Sequence, residues 1–190
     1  MMHKTHHKIK YPHLLLLLLT IIIAVILFSE GRDYNPLHNF LVSLGYLGTF
    51  LSGIFYAYGF TAAPATAVLL VLAKEQNLFL SALIGGVGAL LSDLIIFLFA
   101  RYSFSDEIQK LEKEKFVRFI EKEEKVIFGH YYKHIFPALA GFLIASPLPT
   151  EVGVAMMAST KKLSIKKFMI VAYLLHTLGI FIILMIGSLI

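Results

Sequence analysis

The stretch Gly141-Phe-Leu-Ile-Ala-Ser146-Pro147-Leu-Pro149-Thr-Glu151-Val-Gly-Val-Ala-Met-Met-Ala-Ser159 decides how this chain has to be read. Apolar residues flank Ser146-Pro-Leu-Pro-Thr-Glu151 on both sides, yet that hexapeptide cannot continue a regular helix. Pro147 and Pro149 each remove a backbone donor and restrict the residue before them to extended conformations. A carboxylate follows at once. In lipid, broken backbone is tolerated only where protein or a water-filled cavity surrounds it, and an ionisable group there is a functional-site hypothesis by default. The stretch therefore predicts a re-entrant hairpin over residues 135–159, provided that the rest of the chain supplies a bundle around it.

Composition supplies the setting. The 190 residues are 58% hydrophobic and 15% charged, with mean hydropathy +0.78. A soluble domain carries about a quarter charged residues, so this is an integral membrane protein. The length suits one helical domain rather than two. With no cysteine there is no disulfide framework and no thiolate chemistry. The net charge of +5 reports orientation in a membrane protein and is no sign of nucleic-acid binding.

Working outward, residues 1–13 form a basic tail with three lysines; His3, His6 and His7 in it lack the cysteine or carboxylate partners of a metal site. Residues 14–28 are a continuous apolar run with a basic flank. The following Ser-Glu-Gly-Arg-Asp-Tyr has no small-x-small cleavage site, so the run is expected to be retained as a first membrane helix. Ser29–Pro36 reads as a polar loop. Residues 37–73 are apolar and read as a hairpin with Pro64 near its break, because Ala67–Ala73 is far too short to span. Residues 78–100 make a full spanning helix whose Gly85-Gly86-x-Gly88 patch permits close backbone approach to a neighbour. Residues 101–134 carry eight Lys/Arg and seven Asp/Glu opposite an apolar stripe, the pattern of an amphipathic helix lying on the membrane or holding a protein partner. Residues 168–190 form a last spanning helix.

Charge sets the topology. Placing 1–13, 101–134 and 160–167 in the cytoplasm puts fifteen Lys/Arg there, against Arg32 and Lys74 outside. Each broken segment must then return to the side it entered from. The fold expected is all-α and integral to the membrane. It is an inverted repeat of re-entrant hairpin plus spanning helix, with an N-terminal membrane helix and a central amphipathic one. Such repeats are typical of transporters with sites near the midplane.

Three ionisable residues sit where lipid forbids them. Asp93 lies eight residues before Arg101, roughly 12 Å deep, and His176 nine residues after Lys167, roughly 13 Å from the same face. Glu151 follows the proline break. An acid at a helix centre costs about 2.5–3.5 kcal/mol on insertion scales, so something must offset it. The bland readings stand beside the functional ones: His176 as an interhelical hydrogen-bond partner, Asp93 as structural glue to a tyrosine or Arg101. No phosphate-binding loop, zinc motif or nucleophile elbow is present. Ser92-Asp93 is the only adjacent nucleophile–base pair in a spanning helix, so no enzyme, cofactor or metal is expected.

Pro64-Ala-Thr-Ala-Val, followed after a polar turn by Gly88-Ala-Leu-Leu-Ser-Asp93-Leu-Ile-Ile-Phe97-Leu-Phe-Ala-Arg101, resembles the DedA/VTT (SNARE-associated Golgi protein) family. Its members place a Pro-rich re-entrant motif before a Gly-Ala-x-x-Gly-Asp-x-x-x-Tyr-x-x-Gly-Arg helix. Lys162-Leu-Ser-Ile-Lys-Lys-Phe168 is similar to the family's basic-aromatic step before its last helix. Departures are Ala67 in place of a Glu, Glu151 in place of an Arg, Ser92 and Ala100 in place of glycines, and Phe97 in place of the tyrosine. The resemblance implies a multi-pass cell-membrane transporter with a cytoplasmic N-terminus. It would move polyprenyl-phosphate or phospholipid between leaflets, with proton coupling. Glu151, Asp93 and His176 are the expected coupling residues and Arg101 the headgroup contact. The alternatives are a small-cation or drug exporter, and a non-transporting scaffold that docks a partner on residues 101–134. Partners expected are membrane lipids, a second copy of the chain and that docked protein, with no nucleic acid.

Overall fold

An apolar run in lipid satisfies its backbone most simply as a helix, and the described part of this chain is helical throughout apart from its turns. A computed structural model describes residues 12–33, 35–103, 140–145, 153–154, 157–158 and 163–190. The helices are α1 (Pro12–Asp33), α2 (Asn35–Ser43), α3 (Gly45–Tyr56), α4 (Ala62–Leu72), α5 (Leu78–Ser103) and α6 (Ile165–Leu189). Residues 140–145, 153–154 and 157–158 are also helical. Three of the described helices, α1, α5 and α6, are long and apolar enough to cross a membrane. The molecule is an all-α, multi-span membrane protein.

Contacts give each helix its direction. Helices α5 and α6 are antiparallel, since Gly85 meets Ile180 and Phe97 stacks on Phe168. Helix α3 runs parallel to α5: Thr49 lies by Gly85, and Ser92 by Ile54. Helix α4 returns antiparallel to α3, with Leu72 beside Gly48, and Gly187 of α6 packs on Leu70 and Ala73. Helix α1 follows α4, with Gly31 against Val71 and Ala24 near Ala63. The start of α1, the end of α5 and the start of α6 therefore share one face of the bundle, called the near face below. The end of α1, the α4–α5 turn and the end of α6 share the far face. This is the grouping that the charge count predicts.

Helices α3 and α4 span roughly 18 and 16 Å, against a hydrocarbon core of about 30 Å. Together they form an antiparallel hairpin whose two open ends lie at the far face. The chain reaches α3 through a 90° bend from α2, made at Gly45, whose φ of +53° suits glycine. Residues 57–61 make the turn, three residues before Pro64, which sits inside the first turn of α4. There its missing N–H removes no intrahelical bond. The loop expected at Ser29–Pro36 is also mostly helix, because α1 continues to Asp33 and α2 starts at Asn35. Arg32 in the last turn of α1 complements the helix dipole.

Glycines let these helices meet backbone to backbone. A Cβ on Gly53 would strike the Gly85 carbonyl, one on Gly88 the Phe50 carbonyl, and one on Gly86 the Thr177 hydroxyl. The Gly85-Gly86-x-Gly88 patch thus serves two neighbours, α3 and α6. At the far face the Gln76 side chain ties the α4–α5 turn to α3. Its Oε1 accepts from Thr49 at 2.6 Å and Ser81 at 2.8 Å, and its Nε2 donates to the Gly45 carbonyl at 2.9 Å. Asn77 caps α5 through the Leu80 N–H, and Ser164 caps α6 through Lys167.

The second broken segment is described only in part. Gly179 packs on the Ala145 carbonyl, Gly141 meets Leu175, and Gly153 packs on Ala140 and Ile144. Val154, Met157 and Ala158 join Phe97, Phe168 and Ala172 in one core cluster. Residues 140–145 therefore rise from the near face toward Gly179, and Gly153, Val154, Met157 and Ala158 pack in the same cluster. Glu151, Pro147 and Pro149 lie outside the described residues, as do His3, His6 and His7 and residues 104–134 of the expected amphipathic helix.

Candidate functional site at the Asp93–His176 pair

Asp93 and His176, 83 positions apart in the chain, meet with His176 Nε2 2.7 Å from Asp93 Oδ2. Both side chains are wholly buried. Asp93 lies ~22 Å along α5 from Leu78 and ~12 Å from Arg101, well inside the hydrocarbon. The geometry follows from α5 and α6 packing antiparallel through Gly85 and Gly86, which brings their polar positions into register. The pair is what offsets the cost of the acid: an ionised or hydrogen-bonded partner within bonding distance replaces the lost water.

The pair is not closed. With the Nε2 proton directed at Asp93, Nδ1 of His176 faces protein with no hydrogen-bond partner among the described residues, and the Thr177 hydroxyl is likewise buried and unmatched. A threonine in a helix commonly bonds a carbonyl one turn back, as Thr66 does to Ala62 at 2.7 Å. Thr177 makes no such bond. Polar atoms left unmatched in a low-dielectric interior cost about 1–3 kcal/mol each, and in native proteins such orphans ask for a reason.

The end of α3 and residues 140–145 meet beside this pair. Tyr56, the last residue of α3, is fully buried and packs edge-on to the His176 ring at 6.0 Å between centroids. Its hydroxyl donates to the Ala145 carbonyl at 3.2 Å, so the hairpin from the far face touches the segment from the near face next to His176. Ser92 donates to the Ile54 carbonyl at 2.8 Å, which commits its proton to backbone and not to Asp93.

Of the residues singled out in the sequence, Asp93 and His176 are brought together. Pro64 stands apart in α4. Arg101 ends up at the near face, its guanidinium carbon 5.1 Å over the Phe97 ring, while Phe97 stacks on Phe168 at 4.0 Å. Phe168 thus packs against α5 one turn beyond Asp93. Tyr56 and Thr177 escaped the sequence reading. Tyr56 is one of three tyrosines between residues 46 and 58, and nothing local separates it from Tyr46 or Tyr58. Thr177 carried one faint signal, its place beside His176. The chain matches no family model, no curated protein and no solved structure.

Proposed function

We propose that this chain is a transporter of the DedA/VTT type that moves a lipid between leaflets, with the Asp93–His176 pair as its proton switch. The lipid class is polyprenyl-phosphate or phospholipid. The observation that carries the reading is a fully buried acid–imidazole pair, 2.7 Å apart, where the end of α3 meets residues 140–145. Such a pair has two states. Unprotonated, the Asp93 carboxylate accepts from His176 and holds α5 against α6. A proton taken up on the open Nδ1 of His176 turns the pair into an imidazolium–carboxylate ion pair, and this change in the strength of the α5–α6 link shifts the Tyr56–Ala145 contact beside it. A ligand, here a proton, shifts such an equilibrium only by its different affinity for the two states, and an internal pair supplies that difference. In this reading the half-length segments form an inverted repeat, as in transporters whose sites lie at the repeat interface. The near face, which carries the Lys/Arg excess, is cytoplasmic, and so is the N-terminus. Arg101 contacts a headgroup at that rim, and Glu151 adds a second acid to the same path. The reading assigns the chain no catalysis, and it includes self-association in the membrane.

The acidic character of the path favours a second reading. Asp93, a buried acid among the described residues, suits a small cation as well as a proton, so a cation or drug exporter is the competing form of transport. A scaffold acting through residues 101–134 is the third.

Reconstituted protein tests these together. Translocation of fluorescent phospholipid and polyprenyl-phosphate analogues in proteoliposomes is expected to fall below a tenth for Asp93→Asn and for His176→Gln, and to lose its dependence on an imposed pH gradient. Glu151→Gln is expected to slow it less. Unaltered flux in both pair variants would sink the switch. Flux of a soluble cation in place of lipid would move the assignment to the exporter. Loss of cellular function on deleting residues 104–134, with the pair variants intact, would favour the scaffold.

A further inference from the structure

A cleft between α1 and α4, distant from the Asp93–His176 pair, has two chemically different ends. At the far face a pocket of about 160 Å³ is lined by Arg32, Asp33, His38 and Lys74, with Phe28 and Leu70 at its base. Below it a groove of about 420 Å³ runs between Ala24, Val25 and Phe28 of α1 and Ala63, Thr66 and Leu70 of α4. Phe28 and Leu70 line both, so the two adjoin. At about 160 Å³ the polar end is larger than a single ion needs and is on the scale of a small headgroup. From Lys74 down to Ala63 is about 16 Å of helix, close to half of a hydrocarbon core of about 30 Å and hence to one leaflet.

The charges at the mouth are placed to be used. The Arg32 guanidinium lies 5.2 Å over the Phe28 ring and spends one donor on the Ile190 carbonyl, leaving others of its five to point elsewhere. Lys74 is exposed and has no ion pair or hydrogen bond among the described residues. His38 is already committed, with Nδ1 2.8 Å from the Gly31 carbonyl and Nε2 3.8 Å from Glu75. Asp33 brings a carboxylate to the same pocket. Two cations beside one carboxylate match a headgroup that carries both a phosphate and an amine better than one that is only anionic.

We propose that this cleft binds one phospholipid of the far leaflet. Arg32 and Lys74 hold the phosphate, Asp33 meets an amine on the headgroup, and an acyl chain lies between α1 and α4. Arg32 and Lys74 are the only two Lys/Arg that the charge count leaves on that face, and the groove draws both to one lipid. The site is separate from the proton switch and holds for a scaffold as well as for a transporter.

Native mass spectrometry of the full-length protein in detergent tests it. The probes are phosphatidylethanolamine, phosphatidylglycerol and a diacylglycerol of the same chains. Wild type is expected to retain one phosphatidylethanolamine in preference to the other two. Lys74→Gln should weaken that retention at least threefold. Ala24→Phe, which fills the groove and touches no charge, should do the same. Asp33→Asn should turn the preference toward phosphatidylglycerol. Equal retention by wild type, Lys74→Gln and Ala24→Phe would overturn the site. Diacylglycerol bound as tightly as phosphatidylethanolamine would remove the headgroup contacts, and a wild-type preference for phosphatidylglycerol would overturn the role of Asp33.

Discussion

Two polar clusters hold this bundle together, and they are built on opposite terms. Around Gln76, at the far face, the side-chain amide is matched on both atoms: two hydroxyls donate to Oε1 and the Gly45 carbonyl accepts from Nε2. Around Asp93 and His176, deep in the membrane, the two side chains bond each other while Nδ1 and the neighbouring Thr177 hydroxyl have no partner among the described residues. The matched cluster lies where water is close and polar groups are cheap. The unmatched one lies where they are most expensive. Stability alone favours the reverse, so the comparison separates a staple from a switch.

The largest effect expected is from His176→Leu. It leaves the Asp93 carboxylate buried without the imidazole, which costs about 3–5 kcal/mol, read as a loss of folded protein in denaturant titration. Adding Asp93→Leu should return stability to within about 1 kcal/mol of wild type, since a buried pair replaced by apolar residues is often neutral. Translocation should stay absent. Recovery of both stability and flux in the double variant would make the pair a staple like Gln76.

Next is Gln76→Leu, which removes three hydrogen bonds. Such bonds between membrane helices are worth about 0.6 kcal/mol each on average, so a loss of about 2 kcal/mol is expected, with flux per folded molecule unchanged within about twofold. Abolished flux at full stability would break the contrast from the other side. Tyr56→Phe loses the single bond to Ala145, about 0.5–1.5 kcal/mol, and should raise the rate at which the tips part, measured by hydrogen exchange at residues 140–145. The smallest effect is expected from Thr177→Val. Removing an unmatched hydroxyl of the same shape should leave stability within about 0.5 kcal/mol or raise it slightly. A loss above about 1 kcal/mol would mean that the hydroxyl has a partner after all.

Asp93 and His176 were legible because an ionisable residue in an apolar run is costly wherever the helix points. The glycines at 85, 86 and 88 were legible for a similar reason, as three small residues within one turn rarely serve anything but close approach. Pro64 locates the turn only to within a few residues, because proline marks a helix interruption and a first helical turn with the same letter. Only the position of the turn at residues 57–61 tells them apart. The segment Ser29–Asp33 read as loop because it is polar, yet the helix continues through it, for polar residues at the membrane face cost a helix little.

What the sequence by itself determined is the number of apolar runs long enough to cross, the presence of interrupted ones, and which ends share a face. Each depends on a sum over neighbouring residues or over loop charges, and the bilayer reads such sums one segment at a time. Tertiary structure alone decided that Asp93 meets His176, that Tyr56 and not Tyr46 or Tyr58 stands beside them, and that Arg32 and Lys74 crown one cleft. Those are matters of helix rotation and register, set by where glycines allow two backbones to touch.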